Sequence, residues 1–123
     1  MKEWEGLEYA NNEILIAAGG RPLILTTFRA IVDKGDKVIY ASPSWNNNHY
    51  VHFTEGEHIM IEATRENNFM PTAEQIKPHV QGATLLALCS PLNPTGTGLK
   101  NEELKAICNL GLEEQQKRKA GEK

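Results

Sequence analysis

Three short stretches of this chain combine residue types that hold small polar ligands. Gly19-Gly20-Arg21 lies between an apolar run and the start of a helical pattern. Glycines there let the backbone approach a ligand, and a helix N-terminus presents N–H groups and a positive dipole end to an anion. The same glycines also suit a plain tight turn, and the stretch is neither a Walker loop nor a G-x-G-x-x-G fingerprint. Pro43-Ser44-Trp45 follows a second apolar run. An aromatic at the carboxyl end of a strand can stack on a flat ligand ring, in the crevice where open α/β sheets bind ligands, or it can pack in the core. Ser90-Pro91-Leu92-Asn93-Pro94-Thr95-Gly96 follows a later run. Its two prolines stiffen the loop, and the Asn93 amide both donates and accepts, which suits a ring oxygen or a carboxylate.

Other chemistry is thinly represented. His49, His52, His58 and His79 form no His-x-x-x-His pair and no cluster with cysteine; the spacing of His49 and His52 is a poor metal signature. No serine sits in a triad-like context. Cys89 ends an apolar run and Cys108 lies in a helical pattern, so both read as small buried hydrophobes in a reducing compartment. The length of 123 residues suits one domain. With 40% hydrophobic and 24% charged residues, the chain reads as a soluble globular protein. A net charge of −3 gives no general attraction to nucleic acid or to anionic membranes, so any phosphate recognition must be local. No apolar run approaches the ~20 residues that span a bilayer, and the N-terminus carries no signal core. The expectation is a cytoplasmic protein.

These stretches need elements to position them. Residues 1–10 are polar and read as a short helix. Glu13–Ala17 is expected as a short buried strand, and Ala18 to Arg21 as a turn. Pro22–Lys34 carries Leu23, Leu25, Phe28, Ile31 and Val32 in one helical stripe, with Lys34-Gly35 as its stop. Asp36–Ala41 is the next strand, and Trp45–Thr54 a short helix. Glu57–Glu62 is a third strand. Thr72 caps a helix over Ala73–Lys77, with Gln75 as capping-box partner. Ala83–Cys89 is nearly continuous in apolar character, which predicts a central strand covered on both faces. Asn101–Lys119 is the last helix, with Leu104, Ile107, Leu110 and Leu112 inward and a solvated charged tail. Strands alternating with helices predict an α/β fold, a mostly parallel sheet flanked by helices.

The three ligand-type stretches, in this order at strand ends, resemble the fold-type I pyridoxal-phosphate (PLP) enzymes, specifically class I/II aminotransferases close to aspartate aminotransferase. The resemblance runs over Gly19-Gly20, Lys34-Gly35-Asp36-Lys37-Val38-Ile39, Pro43-Ser44-Trp45 and, most specifically, Asn93-Pro94-Thr95-Gly96. It implies that residues 1–123 are part of a PLP-binding large domain, about a third of such an enzyme. It further implies that backbone at Gly19, Gly20 and Arg21 cradles the cofactor phosphate. Trp45 would stack on the pyridine ring, and Asn93 would bond its 3′ oxygen. Both would border the substrate, and the Asn93–Pro94 bond would be cis. The implied activity is amino transfer between an amino acid and a 2-oxo acid, in a homodimer.

The resemblance also implies residues that are not found here. The family uses a lysine for the Schiff base and an aspartate against the pyridinium nitrogen, both well after Asn-Pro-Thr-Gly. The only aspartates are Asp33 and Asp36, and Lys100, Lys105, Lys117, Lys119 and Lys123 lie in a polar helix or tail. No catalytic residue is therefore assigned, and the chain alone is expected to be inactive. The alternative is a non-catalytic binding module on the same scaffold; a flavodoxin-like nucleotide binder would need a phosphate loop that Gly19-Gly20 does not supply. In the family the strand matching Glu13–Ala17 lies across the sheet from the others. The isolated chain is therefore expected to leave one edge of Ala83–Cys89 unpaired, and to associate there or shift its first strand.

Overall fold

The computed structural model describes residues 6–118. The expected N-terminal helix falls partly, and the end of the charged tail wholly, outside them; residues 6–10 carry no helix. Helix α1 spans Gly20–Ile31, α2 Asn47–Phe53, α3 Ala73–Ile76 and α4 Asn101–Lys117. Strands β1 (Lys37–Ser42), β2 (Glu57–Glu62) and β3 (Ala83–Ala87) form one parallel sheet in the order β2-β1-β3. The α/β architecture with flanking helices is as expected.

The sheet is covered on both faces. Val38 and Tyr40 of β1 meet Phe28 and Val32 from the α1 side and Tyr50 and Val51 of α2. On the other face Ile39 and Ile61 meet Ile76 of α3 and Ile107 of α4. β1 is therefore the central strand, with Val38 to Ala41 all buried, and its near-continuous apolar run is what a doubly covered strand requires. Each fully buried large side chain contributes about 1.5–3 kcal/mol.

Four expectations are corrected. Glu13–Ala17 is not a strand: Asn11–Glu13 is a single 3-10 turn, and the residues after it are exposed, including Leu15 at 72% and Ile16 at 87%. An extended segment needs a neighbour for its backbone groups, and none of the described strands pairs with it. β3 is an edge strand with half-buried residues, not a central one; it pairs with β1 alone, through a register irregularity between Lys37 and Val38. Cys89 and Cys108 are free and exposed rather than buried. Cys89 lies past the end of β3, and Cys108 faces away from the sheet while its neighbour Ile107 is buried. In α4 Leu104 and Leu112 are exposed and Leu110 is half-buried, because three strands are too few to cover the whole helix.

Boundaries shift for local reasons. α1 ends at Ile31, before Lys34, because the Asp36 carboxylate accepts from the Asp33 N–H at 2.9 Å and turns the chain while Val32 goes into the core. The capping box at Thr72 and Gln75 forms as expected. Among the described residues no helix is long and apolar enough to cross a membrane.

Candidate functional site

The parallel sheet puts the carboxyl ends of β1 and β3 side by side, so the loops after them are neighbours. Ser44 of one loop, Asn47 at the start of α2, and Cys89 and Leu92 of the other loop line a single small cleft. α1 approaches the β1 loop with its N-terminus.

At that N-terminus Gly19 has φ +102°, a conformation few side chains tolerate, and it is the N-cap residue of α1. No side chain caps the helix. The Gly19 N–H donates back to the Ala17 carbonyl at 2.8 Å, and Pro22, at the third helical position, has no N–H. Of the four donors that a helix start leaves over, those of Gly20 and Arg21 remain. A Cβ on Gly19 or Gly20 would meet nothing within 4 Å, so the space around these glycines is open. Proline at this point costs nothing in helix bonding.

Trp45, expected as the first residue of the short helix, lies instead in the bend before α2 and is 43% exposed. Asn46 follows in the left-handed conformation at φ 64° and starts the helix. The core reading of Trp45 is thus excluded in favour of a surface ring. The Arg21 guanidinium carbon sits 4.4 Å from the centroid of that ring. A cation, free helix N–H groups and a partly exposed aromatic ring are therefore adjacent, which together can hold an anionic group joined to a flat ring.

Asn93 is held by a tightly bonded loop. Leu92 beside it is buried, its N–H donates to the Thr97 carbonyl at 2.7 Å, and the Gly96 N–H donates to the Leu92 carbonyl at 2.7 Å. Gly96 takes φ +72°, which closes the turn. The Ser90 hydroxyl accepts from the Leu99 N–H at 3.0 Å. Asn93–Pro94 is cis, as expected, and so are Ser42–Pro43 and Ser90–Pro91. Asn93 itself is exposed, and its side chain makes no hydrogen bond to the described residues, so its amide is free for a ligand.

Sequence reasoning missed the Arg21–Trp45 contact, which no local spacing encodes, and the role of Leu92 as loop anchor, which an apolar residue between two prolines could have signalled. A larger open cavity of about 440 Å³, bordered by Arg21, Leu25, His49 and Phe53, lies beside the site between α1 and α2. Among the described residues no three His, Cys, Asp or Glu side chains gather as a metal site.

Residues 1–114 match the family model for aminotransferase class I and II. The chain is 38% identical over 109 residues to an aspartate aminotransferase of Bacillus sp. (strain YM-2), covering 87% of this chain and 28% of that protein. It is 34% identical over 110 residues to the aspartate/prephenate aminotransferase of Thermus thermophilus, covering 88% and 29%. The solved aspartate aminotransferase from Thermus thermophilus with maleate superposes with a TM-score of 0.85 at 31% identity, over 92% of this chain and 30% of that one. The chain thus spans less than a third of the length of these relatives.

Proposed function

Because the chain belongs to the aminotransferase class I and II family, we propose that residues 1–123 form part of a PLP-binding large domain and supply the phosphate-holding and ring-holding portion of a transaminase site. The observation that carries this reading is the meeting of the α1 N-terminus with Trp45: open glycines, two free N–H groups and a guanidinium lie at a partly exposed ring. The residues present fit the cofactor. The Gly20 and Arg21 N–H groups, with the Arg21 side chain, hold its phosphate. Trp45 packs on the pyridine ring and keeps water from that face. The Asn93 side-chain NH₂ donates to the ring's 3′ oxygen and borders the substrate carboxylate. When bound, the cofactor supplies the electron-withdrawing ring that amino transfer between an amino acid and a 2-oxo acid requires.

The Schiff-base lysine and the pyridinium aspartate come from sequence other than these residues. Lys100, Lys105 and Lys117 are all exposed on or beside α4. The whole enzyme works as a homodimer in the cytoplasm, and aspartate, which the named relatives point to, is the first amino donor to try. The test uses the 123 residues by themselves. PLP binding is weak and is lost in Trp45→Ala and Asn93→Ala. Borohydride reduction labels lysines at scattered, low levels, and amino transfer from aspartate to 2-oxoglutarate stays at the rate of free PLP. Enzyme-level turnover, or one lysine labelled stoichiometrically, contradicts this reading.

A further inference from the structure

We infer that Arg21 exchanges one partner for another when the site fills: in the free chain its guanidinium covers the face of Trp45 that a flat ligand ring uses, and on binding it moves to the ligand's anionic group. The inference rests on the cofactor-site reading above and adds a conformational device to it.

The guanidinium lies 4.4 Å from the ring centroid, inside the ~6 Å range of cation–π attraction. Arg21 is the second residue of α1, so its guanidinium reaches over one face of the ring from the helix start. A ligand whose anionic group sits on the Gly20 and Arg21 N–H groups has its ring within a few bonds of them, on that same face. Guanidinium and ligand ring therefore compete for one surface. Among the described residues no carboxylate pairs with Arg21, so the indole is its partner in the free chain. Both side chains are exposed, which keeps the contact weak enough to displace. An anionic ligand compensates for the displacement by giving the guanidinium a stronger, charge-assisted partner. A neutral ring offers no such compensation and must compete unaided.

The test separates the two partners of Arg21. In a Trp4→Phe background, where Trp45 is the sole tryptophan, its fluorescence is titrated with pyridoxine 5′-phosphate and with pyridoxine, neither of which has an aldehyde to react with surface lysines. Replacement of Arg21 by alanine at its exposed helical position is expected to weaken the phosphorylated compound roughly tenfold or more. The same replacement is expected to tighten the unphosphorylated one about two- to fivefold, the value of the displaced cation–π contact. Opposite shifts for the two compounds support the exchange. If the phosphorylated compound binds but is not weakened in Arg21→Ala, or pyridoxine is not tightened by that replacement, the exchange is overturned while the cofactor site stands. If neither quenches Trp45 in either protein, both the exchange and the cofactor-site reading are overturned.

Discussion

Tyr50 carries a hydroxyl that is buried without a hydrogen-bond partner among the described residues, while its ring packs 5.4 Å from that of Phe28 and joins α2 to α1. A buried hydroxyl that gives up water for nothing costs roughly 1–3 kcal/mol. Tyr50→Phe keeps the ring contact and removes the cost, so urea unfolding should show stability raised by about 1 kcal/mol; a lower midpoint would mean that the hydroxyl is satisfied. Tyr40 differs: its hydroxyl meets His58 Nδ1 at 2.9 Å, and burial pushes its pKa up. Residues of the candidate site differ in how legible they were. Asn93 and Trp45 stand in short motifs after apolar runs, and it is the family resemblance of those motifs taken together that points to a ligand role. That Trp45 is exposed, and that Arg21 lies on it, depends on how α1 docks on the sheet, which spacing along the chain does not carry.

The elements are tied together by carboxylates as well as by the core. Glu103 accepts from the N–H of Ala73 at the start of α3, and Glu114 accepts from the Gly82 N–H at 3.0 Å, just before β3. Arg118, past the end of α4, donates to the Ala83 carbonyl at 2.7 Å and to Glu114 at 3.4 Å. The Gly82 N–H first, and then Arg118, hold the Glu114 carboxyl below its ordinary value of 4.5. A lowered native pKa stabilises the fold fully above the unfolded value, and that contribution is lost as pH falls through the native one. Glu114→Gln should therefore lower the urea midpoint at pH 7, with the gap to the unsubstituted chain closing as pH drops below about 4.5; a constant gap would show that the charge is irrelevant. Capping and periodicity gave the remaining elements: Thr72 with Gln75, the α1 stripe through Phe28, and β2 at its full extent. The strand expected at Glu13–Ala17 and the central placement expected for β3 failed for one shared reason. A strand's place is set by its neighbours, and an apolar run does not name them.

At the scale of the whole molecule, the three-stranded sheet is narrow for its apolar content. β3 pairs on one side only among the described strands, and Ile14, Leu15 and Ile16 stand exposed outside any helix or strand. An unpaired edge and a loose apolar segment of β-type residues both favour pairing with another chain. Size-exclusion chromatography with light scattering should therefore find the 123-residue chain above the mass of one copy. The pair Leu15→Lys and Ile16→Glu should bring it down toward a monomer with little change in the core, since both side chains are exposed. A monodisperse monomer with a cooperative melt above about 60 °C would show instead a self-sufficient domain.

The most direct test of the central claim, that the α1 start, Trp45 and Asn93 form one cofactor-binding surface, is a ¹H–¹⁵N NMR titration of the chain with pyridoxine 5′-phosphate. The account predicts saturable shifts at the Gly19, Gly20 and Arg21 amides, the Trp45 indole N–H and the Asn93 side-chain amide, all following one binding curve. Shifts centred elsewhere, such as the cavity walls at His49 and Phe53, or separate curves for Trp45 and Asn93, would contradict it.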